Sequence, residues 1–393
     1  MLLAKSGREG YTRGMKKCMF AAASLLSVLL AVLPCPAKES AQEREADLSV
    51  MAGEMIMTGF RGQSLEENAA PLRALREGKI GGVILFARDI ETRKVRNIVS
   101  PEQLSALTAQ LGAAGQSGPC APAWIAVDQE GGKVRRLSSH NGFRDWPSAL
   151  EMGRHPSQQT WETALNMGLM LVGMGINLNF APSLDLHDPD SPAIGHMERA
   201  FSSDPTSVAE HGAAFARGMR DARIVCCYKH FPGHGSAKGD THNGSADISA
   251  SWSERELEPF KALLAENMPA MVMVAHVTLR QMDDRPASLS QVVISGLLRH
   301  KLGFQGVVVT DDLDMEAVAA RYSLKERIRL AVEAGADILL FGNNLHYEED
   351  LPFRVYDTLM ELIEEGSISP ERIRESYIRI RALKAFIADG GGR

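Results

Sequence analysis

Three histidines, a lysine and an aspartate crowd into one short stretch, Lys229-His230-Phe231-Pro232-Gly233-His234-Gly235 followed by Asp240-Thr241-His242. It begins where an apolar, β-branched run, Ile224-Val225-Cys226-Cys227-Tyr228, stops. A strand that ends in a glycine- and proline-rich loop with ionisable side chains suits catalysis, because the strand fixes the loop's base while the loop reaches a substrate. Imidazole titrates near neutrality and can both give and retrieve a proton. Asp240, two residues before His242, is placed to orient and charge that imidazole as a dyad. A solvated surface loop accounts for one histidine but not for three together with a lysine.

A second site is Thr310-Asp311-Asp312-Leu313-Asp314-Met315, directly after the apolar run Gly306-Val307-Val308-Val309. A carboxylate at a strand end is placed to act as nucleophile or base. Adjacent residues on an extended chain point to opposite sides, so one of the two aspartates is expected to face a pocket. Asp311, nearer the strand, is that residue, and Asp312 is expected to cap the following helix. A third site is Val127-Asp128-Gln129-Glu130-Gly131-Gly132-Lys133-Val134-Arg135-Arg136. Its paired glycines suggest close approach to a polar ligand, with Asp128 taking two sugar hydroxyls and Arg136 forking onto an acceptor oxygen.

Three chemistries compete for these residues. Retaining glycoside hydrolysis needs a carboxylate nucleophile and a proton donor on the leaving-group side. The sequence offers several carboxylates, and the residues alone do not single out the acid/base. A metal-dependent hydrolase would use His230, His234, His242 and an aspartate, but the spacings are looser than the helical pair of zinc peptidases, and Pro232-Gly233 rules out a helix there. An exported sugar-binding protein without turnover would want aromatic platforms, and aromatic residues make up only 6% of the chain.

The elements that must position these residues are short apolar runs alternating with amphipathic stretches. The runs are 55–60, 82–86, 124–127, 176–180, 224–228, 271–275, 307–310 and 337–341, and each reads as a strand buried on both faces. Helical patterns lie between them at 161–174, 208–222, 256–266, 289–300, 324–334 and 355–365, with Gly175, Gly303 and Gly335 near helix ends. Eight strands alternating with helices predict a (β/α)8 TIM barrel, a single catalytic domain over residues 38–393. Arg61, Arg88, Asp128, Asp185, Lys229, His276, Asp311 and Asn343 all fall at or just past a strand's end, and a barrel gathers such ends at one mouth. A doubly wound open sheet, the structural alternative, would spread them into a line.

The chain has 393 residues and a net charge of −6 with both signs interspersed, which argues against a nucleic-acid surface. Lys16-Lys17, an apolar run from Met19 to Leu33 and Pro34-Cys35-Pro36-Ala37 predict a signal peptide over residues 1–37, with Met15 a candidate start. The run is short for a membrane span. The expected address is therefore exported, periplasmic or secreted; Pro34 before Cys35 is wrong for a lipid-anchor site. Cys120, Cys226 and Cys227 remain after the leader, and their spacing demands no disulfide.

Together the Lys229–Gly235 run with its downstream Asp240-Thr241-His242, the Asp128 motif and the Thr310–Met315 motif resemble glycoside hydrolase family 3, most closely its bacterial β-N-acetylhexosaminidase branch. The resemblance runs from about Leu48 to the C-terminal helices. It implies removal of terminal, non-reducing β-linked N-acetylglucosamine without metal or organic cofactor. It further implies Asp311 as nucleophile, His242 as general acid/base and Asp240 as its partner. By the same resemblance, Asp128, Arg136, Lys229, His230 and Arg199 contact the sugar. Arg199 falls in Ile194-Gly195-His196-Met197-Glu198-Arg199-Ala200-Phe201, which is longer between Gly195 and Arg199 than the family pattern, and Asp89 stands where asparagine is expected. Many Gram-negative members are cytoplasmic and recycle cell-wall fragments, so a leader shifts the expected substrates to muropeptides, chitooligosaccharides or other glycans outside the cytoplasm. Some relatives use phosphate in place of water, which makes phosphorolysis the near alternative; β-glucosidase activity is another within the family.

Overall fold

The computed structural model describes residues 41–66, 69–239 and 246–388. The expected leader lies outside the described residues, as do Asp240, Thr241 and His242. Eight parallel strands form the centre: β1 (Ile56–Gly59), β2 (Gly82–Leu85), β3 (Trp124–Val127), β4 (Leu178–Asn179), β5 (Val225–Phe231), β6 (Ala270–Val274), β7 (Val307–Thr310) and β8 (Leu339–Phe341). They pair in the order β7-β6-β5-β4-β3-β2-β1-β8. The two ends of that row meet through a parallel bridge between Val309 and Ile338 and through Leu340 N–H donating to Thr310 Oγ1 at 3.1 Å. The sheet is thus closed, and the (β/α)8 barrel stands in place of the open-sheet alternative.

Every residue of all eight strands is buried, because side chains point alternately into the barrel and toward the surrounding helices. This double burial is why the strands are legible as continuous apolar runs. The predicted helices are present within a few residues at Ser157–Gly173, Pro205–Asp221, Glu258–Ala265, Leu324–Ala334 and Leu351–Glu364, and the stretch Val292–Lys301 winds as a π-helix. Gly335 closes Leu324–Ala334 in the left-handed conformation at φ +116°, which a Cβ would disfavour. Among the described residues, no helix is long and apolar enough to cross a membrane. Cys120, Cys226 and Cys227 are free buried thiols.

Two features depart from expectation. A small three-stranded sheet of Ala246–Asp247, Val277–Leu279 and Asp283–Pro286 was not anticipated from the sequence. β5 also runs on through Phe231, so Lys229 and His230 are strand residues inside the barrel rather than loop residues outside it. The opposite, N-terminal face of the barrel holds buried ion clusters that tie the last helix, Pro370–Ala388, to the strands. Glu54 pairs with Lys384 and Arg381, while Asp337 takes Arg299 at 2.6 Å and Arg379 at 3.0 Å. Charge clusters at that end of a barrel serve stability.

Candidate active site

A cavity of about 530 Å³ opens at the C-terminal ends of the strands, and Arg88, Asp128, Arg136, Arg199, Lys229, His230, His234, Asp311 and Asp312 reach it. Of the strand-end residues expected at the mouth, Arg61, Asp185, His276 and Asn343 do not line it. Arg61 is drawn aside by Asp89 at 2.6 Å, and Asp89 also takes the buried Arg96 at 2.7 Å. Asp185 lies one layer behind the wall. His276 lies between the Ser288 hydroxyl at 2.6 Å and the Asp312 carbonyl at 2.8 Å.

The floor on the β3–β5 side is a chain of paired charges. Lys229, 2% exposed, donates to Asp128 Oδ1 at 2.9 Å and lies 2.7 Å from Glu130 Oε1. Arg136 donates to Asp128 Oδ2 at 3.0 Å, and Arg199 forks onto Glu130 at 2.8 and 3.0 Å. Arg199 also donates to His230 Nε2 at 3.0 Å; because guanidinium cannot accept, Nδ1 is the nitrogen that carries hydrogen, and it donates to Asp185 Oδ2 at 2.6 Å. The other Asp185 oxygen accepts from His234 N–H at 2.7 Å. Asp185 therefore fixes the orientation and tautomer of His230.

Burial alone would raise the acid constants of these carboxyls, but the cations win. Lys229 and Arg136 hold Asp128 well below the usual carboxylate range, and Arg199 and Lys229 bring Glu130 to about 2. Burial likewise works against Lys229, whose ammonium is kept charged by Asp128 and Glu130. His234 goes the other way: burial, then the neighbouring His230, lowers it to about 4.

These shifts fix a pH dependence. An imidazole lowered from 6.5 to about 4 binds fewer protons folded than unfolded, so stability should fall as pH drops from about 6.5 towards 4. Glu130, lowered from 4.5 to about 2, contributes stability that is whole above about 4.5 and disappears as pH falls to about 2. Urea unfolding across pH 3 to 8 should show both phases. His234→Gln should flatten only the upper one; an unchanged upper phase would refute the assignment.

Across the barrel, β7 ends in Asp311 and Asp312. Asp311 borders the cavity and accepts the N–H of Asp312 at 2.8 Å. Asp312 does not cap a helix, contrary to the sequence expectation. Its Oδ1 accepts from Asp314 N–H at 3.0 Å and from Gly342 N–H at 2.7 Å, and the helix Glu316–Ala319 has Met315 at its N-cap. The Asp312 carboxyl thereby ties β7 to β8, and a Cβ on Gly342 would sit 2.2 Å from its Oδ2. Burial, then Asp314, pushes its acid constant well above the carboxylate range.

The loop after β3 also corrects an expectation. Gly131 and Gly132 have φ of +103° and +55°, and what they approach is the segment Pro147-Ser148: a Cβ on Gly131 would meet Pro147 O at 2.2 Å, and one on Gly132 would meet Ser148 Cβ at 2.5 Å. Gln129 holds the loop shut by accepting from Arg136 N–H and Leu137 N–H. Arg199, despite its longer spacing, joins the cluster. Glu130 was missed as a site residue although it lies inside the Asp128 motif, and Asp185, expected at the mouth, acts instead from behind it through His230. Among the described residues, no group of three or more His, Cys, Asp or Glu side chains is arranged to hold a metal ion.

A barrel mouth that sets one carboxylate facing a charge-paired polar wall suits a sugar ring. The model of the glycosyl hydrolase family 3 N-terminal domain matches residues 47–383. This chain belongs to glycoside hydrolase family 3. Its similarity to a "Beta-hexosaminidase" of Tolumonas auensis is 38% identity over 288 residues, covering 72% of this chain and 81% of the relative. A family 3 β-N-acetylglucosaminidase from Paenibacillus sp. superposes with TM-score 0.79 at 35% identity over 88% of this chain, which spans 64% of that longer protein. A β-N-acetylhexosaminidase from Beutenbergia cavernae gives TM-score 0.77 at 30% identity, covering 86% of this chain and 98% of its own. As a family 3 member, the chain is a glycosidase.

Proposed function

We propose that this family 3 glycosidase releases terminal, non-reducing β-linked N-acetylglucosamine by a retaining, double-displacement route. The observation that carries the reading is Asp311 at the end of β7, bordering the same cavity as the Asp128–Lys229–His230–Arg199 wall. In the first step an Asp311 oxygen bonds to the anomeric carbon while the glycosidic C–O bond breaks. The departing oxygen takes a proton from His242, which Asp240 orients. Neutral His242 then removes a proton from water, whose oxygen displaces Asp311 and leaves the β configuration retained. Asp128, Arg136, Lys229, His230 and Arg199 would hold the hydroxyls and acetamide.

The substrates we favour are exported glycans, and of these peptidoglycan fragments over chitooligosaccharides. Arg88 is exposed at the mouth with no ion-pair partner among the described residues, while Lys133 and Arg135, which also border the cavity, are paired with Glu198 at 3.5 Å and Asp145 at 2.9 Å. The guanidinium of Arg88 at the mouth suits an acceptor that bears a carboxylate.

An aryl N-acetyl-β-glucosaminide should be cleaved in preference to the matching β-glucoside, at a rate indifferent to phosphate, giving the free β-sugar first by proton NMR. Release of a sugar 1-phosphate would replace water by phosphate. Preference for the glucoside would displace the acetamide reading.

A further inference from the structure

Behind the cavity, in the 3₁₀ turn Glu254–Leu257, lies a buried acid that the proposed chemistry does not use. Glu256 is 3% exposed and has no cation beside it among the described residues; the charged group that acts on it is Asp185, of like sign. A carboxyl in such a place is costly and rarely retained without a role. Its carboxyl group lies near the N–H groups of Gly235 and Ser236. Gly233, at φ +118°, packs so closely that a Cβ there would lie 2.4 Å from Glu256 Oε2. From the same turn region, Trp252 Nε1 donates to Pro232 O at 3.0 Å. From the other side, Asp185 holds His234 N–H, and Gly235 abuts the Leu186 carbonyl. Residues 232–236 are thus gripped between two walls just before the chain reaches Asp240 and His242. One oxygen of the grip, Glu256 Oε2, and the Ser236 hydroxyl are buried without a hydrogen-bond partner.

We propose that Glu256 is a positioning residue for the general acid/base: it touches no substrate but fixes residues 233–236, the stem from which the segment bearing Asp240 and His242 departs. Burial brings its acid constant to about 7, in keeping with a group whose placement is dictated by something other than solvation. The inference rests on the reading of His242 as acid/base.

The experiment compares kcat/KM of Glu256→Ala, Glu256→Asp and Glu256→Gln with that of His242→Ala on two aryl N-acetyl-β-glucosaminides. One substrate carries an activated dinitrophenolate leaving group and the other plain phenolate. A misplaced acid fails where protonation is needed, so the Ala and Asp variants should lose about tenfold to a hundredfold more on the phenyl substrate than on the activated one. The Gln variant should recover most of that loss, because it keeps the length and shape of the side chain that packs against Gly233. If the Ala variant does not fold, Asp carries the test, since it keeps the charge and withdraws the carboxyl by one methylene. Equal losses on both substrates, or none, with His242→Ala showing the leaving-group signature, would overturn the role of Glu256 alone. Absence of the signature in His242→Ala would overturn the acid assignment, and this inference with it.

Discussion

Asp311→Asn is expected to lower turnover on the order of 10⁴-fold or more, the scale seen when a covalent nucleophile is removed. The change is close to isosteric. The carboxylate oxygen that accepts the Asp312 N–H at 2.8 Å has an amide counterpart that can do the same, so the β7 end should keep its shape. Stability should therefore stay within about 0.5 kcal/mol of the parent, as for substitutions clear of the core. Circular dichroism melting and binding of N-acetylglucosamine by calorimetry would show a folded, ligand-competent protein that does not turn over. A variant with normal rate would remove Asp311 from the mechanism, and a variant that melts early would move it to a structural role.

Lys229→Met should damage both the fold and the site. The ammonium is 2% exposed and lies within 2.9 Å of two carboxylates, Asp128 and Glu130. Methionine matches the stem in length but leaves both carboxylates with one cation fewer inside the barrel. Breaking a buried pair in this way destabilises by about 3–5 kcal/mol, because the partner charge stays buried. Urea unfolding should register that loss, and KM should rise because Asp128 would no longer be held towards the cavity. Adding Glu130→Gln should restore part of the stability, since it removes the stranded charge; the two changes share a partner and are not additive. Full additivity, or an unchanged midpoint for Lys229→Met, would mean the wall is not the coupled network described.

The fold was legible because its strands are buried on both faces, which writes each as an uninterrupted apolar run. The same rule misplaced the end of β5: Lys229 and His230 look like loop residues, yet ion pairs from the loops after β3 and β4 allow them to stay inside the barrel. Neighbours far apart in sequence supply those pairs, and no local pattern announces them. Asp312 was misjudged for a related reason. An acid just ahead of a helix reads as a cap, whereas Gly342 just past β8 offers it an N–H at 2.7 Å and room beside it. Glu256 was hidden inside an amphipathic stretch, where a single acid passes for a solvated position. The small sheet 246–286 escaped because its strands are two to four residues long and partly polar. Motif residues and the family resemblance nevertheless pointed to Asp128, Arg136, Lys229, His230 and Asp311, and the resemblance alone to Arg199; these share one cavity, while Asp240 and His242 lie outside the described residues.

The most direct test is peptide mapping after incubation with a 5-fluoro N-acetylglucosaminyl fluoride. Ring fluorine slows both displacements while the fluoride leaving group speeds the first, so a glycosyl ester should accumulate on a retaining enzyme. Mass spectrometry should find the fluorosugar on Asp311. The same label on Asp312, Asp128 or any other carboxylate would contradict the proposed double displacement at the end of β7.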